Sequence, residues 1–122
     1  MSKRVLVVDD SATVRQQVGN ALQQAGYEIV EAVDGADGLS KLADNSDISM
    51  VICDINMPRM SGLEMIEQIA RSTTMKKVPV VMLTTEGQPA LIQRAKQAGA
   101  KGWIVKPFKP DLLLAAVNKL TA

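Results

Sequence analysis

Four short runs of aliphatic residues, each closing on an acid, a hydroxyl pair or a lysine, limit what this chain can fold into. Val5-Leu6-Val7-Val8 leads into Asp9-Asp10, and Met50-Val51-Ile52-Cys53 leads into Asp54. Val80-Val81-Met82-Leu83 ends at Thr84-Thr85, and Trp103-Ile104-Val105 ends at Lys106-Pro107. Continuous apolar runs of this length read as strands buried on both faces, as in a parallel sheet covered by helices. In open parallel sheets, ligands sit beyond the carboxyl ends of the strands. Three carboxylates, a hydroxyl and an ammonium are therefore expected at one edge, a small site for a hard cation and a phosphoryl group.

The intervening segments supply the helices. The first strand spans about 4–9. A helix follows with Ser11 as N-cap, Val14, Val18, Ala21, Leu22 and Ala25 on one face, and Gly26 just past its end. A shorter, alternating strand over 28–32 belongs nearer an edge, and Asp34-Gly35 makes the turn into a helix over about 36–44. The third strand covers about 49–53. After the loop 56–60, Ser61 and Glu64 form a capping box for a helix with Leu63, Ile66, Ile69 and Ala70 inward. A strand over about 78–83 precedes a helix over about 89–98 opened by Pro89 and closed by Gly99. A strand over 102–105 and a helix over about 110–120 complete five βα units. The expected fold is α/β, a flavodoxin-like (βα)5 doubly wound sandwich. Its parallel five-stranded sheet runs in the order 2-1-3-4-5 with helices on both faces.

Composition removes many alternatives. At 122 residues the chain is expected to be one domain, 1–122, with no effector domain after it. A net charge of +1 supplies no field for nucleic acid or a membrane surface, and three aromatics give no stacking platform. The single cysteine, Cys53, falls within a strand and reads as a core residue. With no histidine, the chain has no Ser-His-Asp triad, no histidine-ligated zinc and no phosphohistidine of its own. A metal must be held by oxygen, which favours Mg²⁺, Mn²⁺ or Ca²⁺. No signal-peptide core or long apolar span is visible, so a cytoplasmic location is expected.

Three carboxylates brought together repel one another unless a cation intervenes. Asp10 and Asp54 are expected as direct ligands of Mg²⁺ or Mn²⁺, Asp9 acting through water, with a carbonyl just past Asp54 completing the set. Asp54, alone at the end of a central strand, suits a nucleophile toward phosphorus. Lys106 can supply one positive charge and Thr84 one hydrogen bond to the transferred group.

At this spacing the residues resemble the receiver domain of two-component response regulators, and among these the single-domain chemotaxis regulators. The resemblance rests on Val5-Leu6-Val7-Val8-Asp9-Asp10-Ser11, Cys53-Asp54-Ile55-Asn56-Met57-Pro58, Met60-Ser61-Gly62, Leu83-Thr84-Thr85-Glu86 and Gly102-Trp103-Ile104-Val105-Lys106-Pro107-Phe108. It implies that Asp54 accepts a phosphoryl group from a sensor histidine kinase, here of the CheA type. It implies Mg²⁺ on Asp9, Asp10, Asp54 and the backbone carbonyl of Asn56. Thr84 then acts as the switch hydroxyl, and Lys106, after which a cis bond to Pro107 is expected, pairs with the phosphate. Trp103 occupies the place of a switch aromatic. Asn56, Thr85 and Glu86 border the path of the attacking water and set phosphate lifetime. Thr85 is larger than the small residue usual there.

Output in such a protein leaves by binding, at the face of the fourth helix, fifth strand and fifth helix. Leu113, Val117 and Leu120 form the inward stripe of the last helix. Ile92, Trp103, Leu112, Leu114 and Ala116 are expected at a docking or weak dimer face for a flagellar motor switch or other motility protein, with a phosphatase as a further partner. Two other classes compete. A haloacid dehalogenase-type phosphatase would need a second aspartate two residues after the nucleophile, where Asn56 stands. A flavin or nucleotide binder would need a Gly-, Ser- and Thr-rich loop after the first strand, which is acidic instead. A phosphorelay or phosphate-sink role uses the same site.

Overall fold

The computed structural model describes residues 3–55, 61–72, 78–84 and 89–121. Five strands alternate with five helices. They are β1 (Arg4–Val8), α1 (Ala12–Gln24), β2 (Glu28–Ala32), α2 (Gly35–Asp44) and β3 (Ile48–Asp54), followed by α3 (Gly62–Arg71), β4 (Val80–Thr84), α4 (Pro89–Gln97), β5 (Gly102–Val105) and α5 (Pro110–Thr121). All strand pairs are parallel and the order is β2-β1-β3-β4-β5, as expected. The three aliphatic runs in β1, β3 and β4 take the central positions, where Val5 to Val8, Met50 to Cys53 and Val80 to Leu83 are buried. The less apolar β2 and β5 form the edges.

Alternation along each strand divides the core into two halves. Leu6, Val8, Val51, Cys53, Val80 and Met82 face one way, with Leu63, Met65, Ile66 and Ile69 of α3. Val5, Val7, Met50, Ile52, Val81 and Leu83 face the other, with Val18 and Leu22 of α1 and Leu113 and Val117 of α5. A one-residue slip in any central strand would exchange its two sets, so the sheet register is tightly specified.

The helix boundaries follow local chemistry. Ser11 caps α1 by accepting from Val14 N at 3.3 Å. Ser61 and Glu64 form the expected capping box on α3. Asp34, read from sequence only as part of a turn, caps α2 by accepting from Asp37 N at 2.8 Å. Gly26 and Gly99 stand at positive φ just beyond α1 and α4. Two inward assignments fail: Ala25 is exposed as the residue capping the end of α1, outside its inward face, and on α3 Ala70 is exposed whereas Met65 is buried. Met65 lies against Cys53 Sγ at 3.8 Å and beside Gly38 of α2, so α3 buries a wider face than a single stripe. Among the described residues no helix is long and apolar enough to cross a membrane.

Candidate functional site

Because all five strands run parallel, their carboxyl ends share one edge, and the order places β1 beside β3 and β3 beside β4. Asp9 and Asp10 follow β1, Asp54 ends β3, Thr84 ends β4 and Lys106 follows β5. Carboxylate oxygens of Asp9, Asp10 and Asp54 all lie within 4.8 Å of one another. The Lys106 ammonium bridges two of these acids, donating to Asp9 Oδ2 at 3.0 Å and Asp54 Oδ2 at 2.9 Å. Thr84 is buried, sits opposite Val105 in the β4–β5 pairing, and its carbonyl accepts from Lys106 N at 2.7 Å. The Lys106–Pro107 bond is cis, as expected.

The acids differ in environment. Asp9 is fully buried and every polar atom of it that meets the protein is engaged. Its N–H donates to Ala32 O at 3.1 Å, its carbonyl accepts from Arg15 Nη1 at 2.7 Å, and Oδ1 accepts from Ser11 N at 2.9 Å. Asp54 is buried under the same edge, whereas Asp10 is exposed. Burial works against the charge on Lys106. Its hydrogen bonds to Asp54 and Asp9, and the negative charge on both, outweigh that and hold its pKa above the ordinary lysine value. Burial and the charges of Asp54 and Asp9 push the Cys53 thiol well up, so it stays protonated and inert.

The donor set fits a hard divalent ion. It consists only of carboxylate oxygens, with two acids inside and one open to solvent, which suits an ion that keeps several waters. A lysine already drawn between two of these acids shows how strongly the cluster demands positive charge. Asp9, Asp10 and Asp54 are the residues that would hold Mg²⁺ or Mn²⁺. Asn56, Thr85 and Glu86 lie outside the described residues.

Two contributors were not legible as such. Gly62 opens α3 against the end of β3, and a β-carbon there would collide with the carbonyl oxygen of Asp54 and lie 2.9 Å from Met82 Cε. Only glycine lets the helix start this close to the acid. Arg15, one turn into α1, reaches back to the Asp9 carbonyl. A hydrogen-bonding side chain four residues after Ser11 was the only hint in the sequence.

The residues expected at a docking face are divided. Trp103 on edge strand β5 is 42% exposed, with the Lys96 ammonium of α4 at 4.4 Å from its ring centroid. With Val105, Lys109, Leu112 and Ala116 it lines a groove of about 510 Å³. Leu112 is 61% exposed. Leu114 turns the other way, into a groove of about 970 Å³ between α1 and α5 with Val14, Ala21 and Phe108. Ile92 is half-buried on α4 and lines neither groove.

Comparison with known proteins agrees with this geometry. A family model described as the response regulator receiver domain matches residues 5–118. Chemotaxis protein CheY1 of Helicobacter pylori is 41% identical over 111 residues, 90% of each chain. The Campylobacter jejuni CheY homolog is 39% identical over 90% of this chain and 85% of its own. Among solved structures, Vibrio cholerae chemotaxis protein CheY4 superposes with a TM-score of 0.89 at 41% identity, covering 98% of this chain and 99% of that one.

Proposed function

The chain belongs to the response regulator receiver domain family, and from that premise we propose that it is a phosphorylation-activated switch of the chemotaxis kind. In this reading residues 1–122 act as one receiver and Asp54 accepts a phosphoryl group from the phosphohistidine of a CheA-type sensor kinase. The observation that carries it is the convergence of Asp9, Asp10 and Asp54 with Lys106 at one strand edge. The likeness to the chemotaxis proteins of Helicobacter, Campylobacter and Vibrio supports the motility branch of the family.

In the transfer, an Asp54 carboxylate oxygen forms the new bond to phosphorus while the bond from phosphorus to the partner's imidazole nitrogen breaks. The imidazole departs with that electron pair. Asp9, Asp10 and Asp54, with the Asn56 carbonyl, would hold a divalent ion that, when bound, would neutralise charge on the transferred group. Lys106 is drawn from the bare carboxylates to the incoming oxygens, keeping its compensation as the charge moves. Thr84 donates its hydroxyl to another oxygen. Lys106 N is tied to the Thr84 carbonyl, so movement at one strand end is felt at the other. Trp103, two residues along β5 from Val105, carries that change to the β5–α5 groove with Leu112 and Ala116, where the downstream motility protein docks. The chain promotes only its own phosphorylation and dephosphorylation, and Asn56, Thr85 and Glu86 set the lifetime.

The test is direct. With Mg²⁺ and acetyl phosphate, intact mass should rise by one phosphoryl group, and Asp54→Asn should abolish the gain. No mass gain in the unaltered protein, or an undiminished gain in the Asp54 variant, rejects the assignment.

A further inference from the structure

Asp10 is the one exposed acid of the cluster, and its side chain makes no hydrogen bond or ion pair with the described residues. Its aim must come from the backbone. The Asp9 carbonyl and the Asp10 N–H share one rigid peptide plane, so holding the Asp9 oxygen sets where Asp10 points. Arg15 holds that oxygen. Its Nη1 donates to Asp9 O at 2.7 Å while Nε donates to Glu31 Oε1 at 2.9 Å. Glu31 lies on β2 beside Val7 of β1, so the fork spans from helix to neighbouring strand across the loop that carries the acids.

The peptides on either side are also fixed, by Asp9 N to Ala32 O at 3.1 Å and Ser11 N to Asp9 Oδ1 at 2.9 Å. Of the three holds, Arg15 provides the one from a cationic side chain, and that side chain is only 14% exposed. Its charge is matched by Glu31, which limits any repulsion of a cation at the acids. A lysine could reach one of the two acceptors but cannot present a fork to both.

We propose that Arg15 is a positioning residue of the divalent-cation site, fixing the Asp9–Asp10 peptide so that the Asp10 carboxylate faces the ion shared with Asp9 and Asp54. The inference rests on reading the acid cluster as a Mg²⁺ site. It makes the Arg15–Glu31 pair part of the metal site without touching the metal. Partners that orient ligands in this way typically change metal affinity by about 10- to 100-fold when removed.

The experiment titrates Mg²⁺ calorimetrically into the intact protein and into Arg15→Met, Arg15→Lys and Glu31→Gln. Acetyl phosphate labelling is then followed as a function of Mg²⁺. Arg15→Met should weaken Mg²⁺ binding about tenfold, with Arg15→Lys between it and the unaltered protein. Labelling by Arg15→Met should need more Mg²⁺ yet reach nearly the original rate at saturation. A purely structural arginine would lower the melting temperature without moving Mg²⁺ affinity. Equal affinity in Arg15→Met overturns the proposal, as does tighter binding, which would mark Arg15 as a repelling charge. If Arg15→Met fails to fold, Arg15→Lys and Glu31→Gln decide: weaker binding in both supports the proposal, and no shift in either overturns it. Failure of the unaltered protein to bind Mg²⁺ would instead strike the reading of the acid cluster itself.

Discussion

The acid-bearing end of β1 and the outer edge at β5 belong to one sheet but are held in opposite ways. At Asp9 the N–H, the carbonyl and both carboxylate oxygens each meet a partner, from β2, α1, the following loop and Lys106. At Trp103 a half-open indole rests beside the Lys96 ammonium, and Val105 and Leu112 nearby are exposed. The proposed transfer would demand positions fixed to fractions of an ångström, and the convergent hydrogen bonds at Asp9 suit that demand. A surface that must change and be recognised is served by side chains with fewer constraints. The contrast predicts that substitutions at the acid end cost far more than substitutions of equal size at the β5 edge.

The largest effect is expected at Gly62. Gly62→Ala sets a β-carbon against the Asp54 carbonyl, which is backbone and cannot swing aside. Urea unfolding should show a loss of about 4 kcal/mol or more. A loss below about 1 kcal/mol would mean that α3 can shift freely from the end of β3.

Lys106→Met comes next. It leaves Asp9 and Asp54 facing each other without their cation, and about 3 kcal/mol of stability should be lost in metal-free buffer. Mg²⁺ should restore part of it. The pH dependence sharpens the point. The Lys106 pKa is raised in the fold, so its stabilisation is complete below the ordinary lysine value of about 10.4 and disappears as pH rises through the folded value. Unfolding followed from pH 9 upward should show an alkaline loss in the original protein that Lys106→Met lacks. Parallel curves would show that the bridge contributes little.

At the edge the effects shrink. Lys96→Met removes the cation from the Trp103 ring and should cost about 0.5 kcal/mol. Acrylamide quenching of the single tryptophan should change in the same variant, and unchanged quenching would show that Lys96 does not constrain the indole. Leu112→Ser should change stability by no more than about 0.5 kcal/mol, because that side chain is mostly in solvent. A larger loss would remove the distinction between edge and site.

Much of this contrast was legible in the sequence. β1, β3 and β4 were readable because unbroken aliphatic runs suit only strands covered on both faces, and their terminal polar residues had to share an edge. Ser11 and the Ser61–Glu64 pair marked helix starts because capping is local chemistry. Other features depend on neighbours distant in sequence. Ala70 and Met65 exchange expected places because α2 as well as the sheet packs on α3, so spacing within α3 could not decide which of them turns in. Leu112 and Leu114 look equivalent on paper yet line different grooves. Arg15 reads as an ordinary helix arginine until β2 brings Glu31 beside it.

Cys53 has a practical consequence. It is the chain's only cysteine, it lies buried in the central strand, and its thiol is held protonated. A cysteine introduced on the surface would therefore be the one reactive sulfur in the folded molecule. Dyes or spin labels could be attached at Thr13, Leu112 or another exposed position outside the acid cluster, with no need to replace the wild-type thiol. The separation between the acid end and the β5 edge could then be followed as a distance in solution.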